Sequence, residues 1–488
     1  MVKHIFIYLL GIVLPYFASF LLVPLYARHL TPAEFGLLEI INISVDVAII
    51  IFSAGLGIAT LSLYSKEVDV GKKRKVISTA LILAVVSSTL GVLFFEVFAP
   101  GIHRFFFKSA AHLNLLRAAG LLLLSQNILA VPMAFIQAQI NSKLYVTIVS
   151  IQSLCIISLN ILVIVGFDMR VGGIIFSNIL VSSTLGLILI VWVIKRTGIS
   201  FDTEILRKLL SFGLPFIPSG LCLFILNVGD RFFIQRILDA REVGIYSLGY
   251  KIGSIVAMIV VGPFFKVWGP YLFKVDRNVG GREAFGKYLL YLTVVYCIVS
   301  LGVALFSKEI MQILSSKYYW EGYRVTPYVL LANLFFSVAS FFDSGFYITQ
   351  KTYFKPFIMA SSAAVVFLLY YWLIPLFGIL GAAYATTISF AVFVTLTFIF
   401  SNRVFPVKYD FRRLLITVVG GAVFYLLGDL FRWDSYLRDL CMRGGLFILY
   451  PLTLLSLRII EKEELIAALA FVKKAKKKVF RITPGVAL

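Results

Sequence analysis

The chain has 488 residues, of which 60% are hydrophobic and only 14% are charged. Soluble proteins carry charge on about a quarter of their residues, so this composition excludes an ordinary soluble protein and indicates an integral membrane protein. The formal net charge of +21 is also compatible with nucleic-acid binding, but the placement of the basic residues disfavours that alternative.

Apolar runs long enough to cross a hydrocarbon core of ~30 Å recur along nearly the whole chain. Only helices satisfy backbone groups in lipid without the alternating pattern of a barrel, so we predict an all-α protein with about fourteen transmembrane helices. Their approximate extents are 5–28, 36–62, 76–98, 113–136, 146–166, 171–194, 209–234, 243–265, 286–306, 325–347, 356–377, 379–402, 413–430 and 440–460. The first run has no small-residue cleavage site and is expected to remain as a span.

If each span crosses the membrane once, every second connecting segment lies on the same side as the amino terminus. Basic residues concentrate in these segments. These segments include residues 72–75, 195–196, 412–413 and 473–478. The positive-inside rule then predicts a multi-pass protein of the cytoplasmic membrane with both termini in the cytoplasm. We expect the basic tail to lie along anionic lipid and not to bind nucleic acid.

An internal repeat runs through the chain. The segment from Arg28 to Gly36 returns 208 residues later from Arg236 to Gly244, with the shared pattern R-x-L-x-x-x-E-[FV]-G. In addition, Phe135 and Gln139 recur as Phe346 and Gln350, 211 residues later. Repeats of this kind in an apolar chain are typical of transporters built from two similar bundles.

Six spans separate the two copies, so both bundles insert with the same orientation, as a parallel repeat. We predict a first six-helix bundle over 1–198, a second over 199–402, an added helix pair over 403–460 and a basic cytoplasmic tail over 461–488. No connecting loop is long enough to hold a soluble catalytic domain.

Three polar residues lie on one face of the second span. Glu39, Asn42 and Asp46 follow a spacing of i, i+3 and i+7, and Asp46 lies roughly 15 Å from Gly36, close to mid-membrane. A charge at that depth costs at least ~2.5–3.5 kcal/mol. The stripe therefore indicates a water-filled cavity, with a polar seam between helices as the alternative.

The eighth span carries the corresponding polar face. Shifting the stripe by 208 residues gives Ser247, Tyr250 and Ser254, and Lys251 lies beside Tyr250. Lys251 could extend its ammonium group towards the headgroups, pair with Glu39 or Asp46 across the cavity, or hold an anionic ligand.

Other charged residues lie at span ends. Arg28, Arg231 and Arg236 gather at the predicted outer ends of the first and seventh spans, where they are either headgroup anchors or part of a cavity rim. Asp343 lies deeper, towards the cytoplasmic end of the tenth span.

Enzyme signatures are missing from the sequence. It has no Gly-rich phosphate loop, no H-E-x-x-H and no G-x-S-x-G, and its four histidines are scattered near span ends. We therefore expect no enzymatic activity, no cofactor and no metal site.

Three motifs carry a family resemblance. The runs L-S-F-G-L-P-F-I-P-S at 210–219, N-V-G-D-R-F-F-I at 227–234 and E-V-G-I-Y-S-L-G-Y-K-I at 242–252 resemble the Wzx-type polysaccharide and O-antigen flippases. The turn from Leu30 to Gly36 is similar to the first hairpin of the same family. These flippases belong to the multidrug/oligosaccharidyl-lipid/polysaccharide exporter superfamily.

The resemblance implies a V-shaped pair of bundles that moves a polyprenyl-pyrophosphate-linked oligosaccharide from the inner to the outer leaflet, for lipopolysaccharide or related cell-surface polysaccharides. Polysaccharide polymerase and chain-length proteins are the implied partners. The predicted substrate-binding residues are Arg28, Arg231, Arg236, Lys251, Asn42 and Tyr250. The predicted coupling residues, for H⁺ or Na⁺, are Asp46, Glu39 and Asp343.

Two related functions stay open at this point. A lipid II flippase would share the fourteen spans, and a cation-coupled multidrug antiporter of the same superfamily normally has twelve spans and a less basic chain. A membrane-embedded glycosyltransferase is disfavoured because no sizeable loop carries clustered catalytic residues.

The charge asymmetry predicts where the tail lies. A cysteine placed by Lys474→Cys in a chain free of native cysteines should react with a membrane-impermeant maleimide only after the membrane is opened. A cysteine placed by His29→Cys, at the predicted outer side, should react in intact cells and serves as the control. Labelling of the tail in intact cells would contradict the predicted topology.

Overall fold

The computed structural model describes residues 20–106, 112–275, 281–431 and 436–459, and over these ranges it consists of helices and short connections. Twelve helical stretches within these ranges are long and apolar enough to cross a membrane. They correspond to the second to thirteenth predicted spans, which confirms an all-α membrane protein. The first predicted span lies largely outside the described residues, and the fourteenth coincides with the helix Tyr436–Ser456, which is not among the twelve, so the count of fourteen stays a prediction. The 461–488 tail also lies outside the described residues.

The first half contains α1 (residues 20–29), α2 (Pro32–Ser53), α3 (Leu56–Lys66), α4 (Val70–Phe106), α5 (Leu113–Ala138), α6 (Ser142–Ile161) and α7 (Arg170–Thr197), and α8 (Thr203–Gly213) follows as the connection to the second half. The second half contains α9 (Phe216–Val228), α10 (Asp230–Ile237), α11 (Ala240–Val256), α12 (Gly262–Val275), α13 (Gly281–Leu305), α14 (Ser307–Leu314), α15 (Thr326–Phe342), α16 (Ser344–Ile348), α17 (Phe354–Phe377), α18 (Ile379–Val404), α19 (Phe411–Leu430) and α20 (Tyr436–Ser456). π-Helical turns at Leu162–Gly166 and Ala257–Val261 follow α6 and α11, and a 3₁₀ segment covers Lys317–Arg324.

The first repeat marks two equivalent helix starts. The Thr31 hydroxyl accepts a hydrogen bond from the Glu34 amide at 3.3 Å, and Glu34 accepts from the Thr31 amide at 2.8 Å, which together form a capping box. In the second copy, Asp239 accepts from the Glu242 amide at 2.9 Å. The offset of 208 residues therefore joins α2 to α11 residue for residue. We call the end of the molecule at which α2 and α11 begin the Thr31 end.

The second repeat is shifted by one residue in the structure. Ile140 and Gln350 both adopt positive φ, 56° and 57°, after α5 and α16. The amide of the next residue, Asn141, donates to the Ile136 carbonyl at 3.3 Å, and the amide of Lys351 donates in the same way to the Phe346 carbonyl at 3.0 Å. Equivalent positions are therefore 210 residues apart, so Ile136, and not Phe135, corresponds to Phe346.

α2 and α11 cross at the glycines of the two repeat copies. A Cβ atom on Gly36 would overlap the backbone carbonyl of Ala240, and one on Gly244 would overlap that of Pro32. Small residues let membrane helices approach at backbone distance, and here the obstructing atoms are backbone and cannot rotate away. The two halves therefore touch at the Thr31 end.

Towards the opposite end both helices are interrupted. The chain breaks after α2 at Ala54 and Gly55, which have φ of 44° and 64°. α11 passes into the π-helical turn Ala257–Val261, which is followed by Gly262, the position equivalent to Ala54. Beyond these breaks α3 packs on α4, α5 and α8, whereas α12 packs on α13 and α16. These two segments therefore pack within their own halves, whereas Phe216 and Gly220 of α9 lie against Gly55 and Ile50 at the end of the first half's α2.

α8 connects the halves while packing on the first. Its Leu209 lies in one apolar cluster with Leu56 of α3 and Ile77 of α4. The last residue of α8, Gly213, lies against the carbonyl of Ala54. α9, which follows, packs on α17 in the second half. The predicted domain division, which begins the second bundle at 199, stays a prediction. In the structure the chain passes from the first half to the second along α8 and α9.

Polar contacts fasten the start of α8 to α4. The Asp202 amide donates to Thr79 Oγ1 at 3.1 Å, and Lys75 Nζ lies 3.4 Å from the Asp202 carboxylate. The carboxylate also caps the start of α8. The hydrogen bond that it accepts from the Ile205 amide lowers the pKa of Asp202 and is the largest cause of that shift. The linker between the halves is thus held on the first half.

The added helices α19 and α20 pack on the second half. Arg443 on α20 is buried and donates to the Leu305 carbonyl at 3.1 Å and to Glu309 at 2.9 Å. It also contacts Asp439, 2.8 Å away on its own helix. A buried arginine between two carboxylates holds α20 against the ends of α13 and α14.

The glycine crossing predicts a sharp steric effect. Gly36→Ala should force α2 away from α11, because overpacking costs about 1–3 kcal/mol even where side chains can yield. We expect a lower thermal midpoint in detergent and faster maleimide labelling of a cysteine at the Thr31 end. Gly444→Ala is the control, because no atom lies within 4 Å of a Cβ added to Gly444. Equal behaviour of the two variants would show that the crossing tolerates separation.

Candidate substrate cavity

A polar cavity of about 310 Å³ lies just below the glycine crossing. Its lining comes from α1, α2, α6 and α7 of the first half and from α11 of the second. The lining residues are Leu22, Tyr26, Leu38, Glu39, Asn42, Gln152, Ser153, Ile156, Ile157, Ile174, Asn178 and Lys251. The structure therefore brings together Glu39, Asn42 and Lys251, three of the predicted site residues.

Glu39 and Lys251 form an ion pair between the halves. Lys251 Nζ lies 2.6 Å from Glu39 Oε1, and it also stands 4.9 Å from the ring centroid of Phe35. The side chains are 30% exposed for Lys251 and 12% for Glu39, so the pair is only partly shielded from the cavity. Of the three alternatives for Lys251, the structure shows the pairing across the cavity.

Uncharged polar side chains also line the cavity. Gln152 and Ser153 on α6 and Asn178 on α7 line the cavity, although the sequence predictions did not include them. Tyr26 also lines it, and its hydroxyl accepts a hydrogen bond from Asn160 at 3.0 Å. These residues interrupt apolar runs in the same way as Asn42, which is the sequence signal that could have identified them.

Asp46 is separated from the rest of the predicted stripe. It lies on α2 two turns beyond Glu39, its side chain is exposed, and it is not part of the cavity lining. α2 is a regular helix over this stretch, so the shared face is real, but the cavity ends before reaching Asp46. The structure thus divides the stripe between a cavity wall and an exposed helix surface.

Arg231 and Tyr250 belong to a buried network outside the cavity lining. Arg231 Nη1 lies 2.6 Å from Asp230 Oδ1, and the guanidinium stacks 4.0 Å from the Tyr250 ring centroid. The hydroxyls of Tyr246 and Tyr250 donate to Asp230 and to the Asn227 carbonyl, at 2.5 Å and 3.0 Å.

With 3% exposure, Arg231 is enclosed by this network, and it does not line the cavity. Sequence spacing could not show this, because the rings that enclose Arg231, Tyr246 and Tyr250, belong to another helix, α11.

Arg28 and Arg236 lie at the Thr31 end, both exposed. Arg28 donates to the Ile313 carbonyl at 2.8 Å, so it links the first half to α14. The Arg236 guanidinium stands 5.2 Å from the ring centroid of Phe105. Neither lines the cavity.

The segment that contains α14 and the 3₁₀ turn, residues 307–324, lies across the Thr31 end, and we call it the strap. The Ser316 amide donates to the Ala27 carbonyl at 3.2 Å, and the Tyr319 hydroxyl donates to the Leu30 carbonyl at 3.0 Å. The Tyr319 ring packs edge-on against Phe35, with centroids 6.0 Å apart. The strap and the glycine crossing close the cavity at this end.

Asp343 lies at the other end of the second half. Its carboxylate is 2.8 Å from Lys355 Nζ, which also donates to the Tyr347 hydroxyl at 2.8 Å. All three residues belong to the α15–α17 region, and none lines the cavity.

Comparisons with known proteins agree with this architecture. The family model described as "Polysaccharide biosynthesis protein" matches residues 1–276, more than half of the chain. A search of curated protein sequences gives no significant match.

Several solved structures share the fold. The lipid II flippase MurJ, in an inward closed conformation, superposes with a TM-score of 0.72 at 14% identity, covering 94% of this chain and 100% of that one. An inward-facing multidrug resistance MATE family transporter of the MOP superfamily has a TM-score of 0.66 at 15% identity, covering 81% and 97%. A MOP superfamily transporter from Pyrococcus furiosus has a TM-score of 0.53 at 16% identity, covering 86% and 96%.

These similarities lie over the same helices that build the cavity and the crossing. The family match includes α2 and the α9–α11 region, which carry the sequence motifs noted above. The chain therefore belongs to the polysaccharide biosynthesis protein family, and it has the fold of the transporters of the multidrug/oligosaccharidyl-lipid/polysaccharide exporter superfamily.

Proposed function

We propose that the chain is a flippase that moves a polyprenyl-pyrophosphate-linked oligosaccharide from the inner to the outer leaflet of the cytoplasmic membrane. The observation that carries the proposal is the cavity between the halves, which is polar, closed at the Thr31 end and bordered by the Lys251 ammonium. The membership in a polysaccharide biosynthesis family supports a glycan as the cargo.

The physical problem that such a protein solves is desolvation. A pyrophosphate and sugar hydroxyls cannot cross hydrocarbon unaided, because burying unpaired charge and polar groups is prohibitive. Amide, hydroxyl and ammonium groups in the cavity replace the water that the head group gives up, while the polyprenyl tail remains in lipid.

The proposed topology determines which end of the molecule faces the outside of the membrane. With both termini in the cytoplasm, the Thr31 end faces outward, so the glycine crossing and the strap form an outer closure. Release to the outer leaflet then requires α2 to separate from α11. The two six-helix bundles and the added pair α19–α20 would move as the units of this change.

The proposed roles of the basic residues follow their positions. Lys251, which lines the cavity, would contact the pyrophosphate, and Asn42 would hydrogen-bond to it or to the adjoining sugar. Arg28 and Arg236, exposed at the Thr31 end, would meet the head group on release, where water and salt weaken each contact. Polysaccharide polymerase and chain-length proteins would take over the released glycan.

The substrate test uses purified protein in vesicles. Wild type should transfer a fluorescent polyprenyl-pyrophosphate oligosaccharide across the bilayer, and Lys251→Ala should lower the rate roughly tenfold or more, the effect of losing one charge-assisted hydrogen bond. Arg241→Ala is the matched control, because Arg241 is exposed and pairs only with Glu242 among the described ion pairs. Transfer of lipid II or export of a cationic drug, without transfer of the glycan lipid, would overturn the proposal in favour of those functions.

Coupling to an ion gradient is proposed at Asp46. Its carboxylate is exposed at mid-helix within a membrane span, where a proton would remove the cost of the charge. In vesicles with an imposed proton gradient, wild-type transfer should accelerate, whereas Asp46→Asn should transfer slowly with and without the gradient. Wild-type transfer that ignores both proton and sodium gradients would exclude coupling through Asp46.

A further inference from the structure

We propose that Glu39 is a built-in competitor of the substrate. Its carboxylate holds Lys251 while the cavity is empty, and a phosphoryl oxygen of the substrate takes its place when the cavity is loaded. This inference rests on the proposed function and adds the step that links loading of the cavity to opening of the outer closure.

Lys251 has a carboxylate partner and an aromatic neighbour, and it also lines the cavity. From its ammonium nitrogen, Glu39 Oε1 lies at 2.6 Å and the centroid of the Phe35 ring at 4.9 Å, and the 30% exposed Lys251 side chain lines the cavity. A lysine has three donors and a carboxylate oxygen is an acceptor of the same kind as a phosphoryl oxygen. An anionic head group that enters the cavity must therefore share or replace the bond to Glu39.

The ion pair lies where it can control the crossing. Glu39 is one turn beyond Gly36 on α2, and Lys251 is two turns beyond Gly244 on α11. Both helices are in backbone contact at the glycines, so the pair adds an electrostatic bond between the halves just inside the closure. Separation of the helices would break the pair and let water reach both groups.

Replacement of Glu39 makes the closed crossing unfavourable. Removing one partner of a partly buried pair leaves the other charge uncompensated, which is the most costly arrangement of such groups. A loaded cavity therefore contains an unpaired carboxylate beside the closure, and separation of α2 from α11 relieves it by hydration. After release, Glu39 and Lys251 pair again and favour closure of the empty protein.

The charged and titratable groups around this pair are few among the described residues. Tyr26 from α1 shares the cavity lining, and Asp46 lies further along α2. The residues that α6 and α7 contribute to the lining, Gln152, Ser153 and Asn178 among them, are uncharged. Lys251 is thus the cation of the cavity lining for which substrate and Glu39 compete.

The test separates binding from transport. Farnesyl pyrophosphate, a short polyprenyl pyrophosphate, is the binding probe in detergent, with farnesol as the uncharged control, and the vesicle assay measures transfer of the glycan lipid. Glu39→Gln should bind farnesyl pyrophosphate roughly tenfold more tightly, because the competing charge is gone, and yet transfer several-fold more slowly. Farnesol binding should not change.

Two further variants complete the test. Glu39→Asp keeps the charge on a shorter side chain, so it should give intermediate affinity and restore part of the transfer rate. It also replaces Glu39→Gln as the test variant if that protein does not insert into the membrane. Glu34→Gln is the matched control on the same helix, because Glu34 pairs with Arg170 at 2.8 Å within the first half and glutamine preserves a capping box. It should change neither affinity nor transfer.

The outcomes distinguish the two proposals. If wild type neither binds farnesyl pyrophosphate nor transfers the glycan lipid, the proposed function fails. If wild type does both, but Glu39→Gln and Glu39→Asp bind no more tightly than wild type, or lose affinity and transfer together, the competitor role of Glu39 is overturned while the function stands.

Discussion

At the crossing of α2 and α11, two glycines let the backbones of the two halves come so close that a carbonyl oxygen fills the space of each missing Cβ. The geometry of the cavity, the strap and the ion pair depends on this approach. Lys251 reaches Glu39 only because the helices that carry them are in contact one or two turns away. A membrane offers no hydrophobic effect to hold helices together, so backbone-distance packing and buried polar contacts must do so.

The buried ion pairs and the pair that borders the cavity have different surroundings. Asp230 with Arg231, and Arg443 with its two carboxylates, are buried contacts that fasten neighbouring helices of the same half. The pair of Glu39 with Lys251 differs, because it joins the halves and borders a cavity. An ion pair that both bridges a moving interface and faces a ligand space can serve transport, whereas an enclosed pair serves packing.

How the halves differ also has a physical basis. The repeated helix caps at Thr31 and Asp239 show that α2 and α11 start from the same local design. The polar lining, however, comes mainly from the first half, and the second contributes Lys251. One half thus provides most of the hydrogen-bonding wall and the other the cation, which makes the cavity asymmetric within a repeated fold.

The sequence by itself determined the membrane class, most of the spans and the first repeat, because apolar run length and helix-cap chemistry are local properties of the chain. It also singled out Glu39, Asn42 and Lys251, since a polar group in an apolar run is costly wherever the helix packs. Their assembly into one cavity, the enclosure of Arg231 and the separation of Asp46 were decided only by tertiary structure. Which face of a helix meets a neighbour depends on breaks and crossings between segments far apart in the chain, and local patterns contain no information about them.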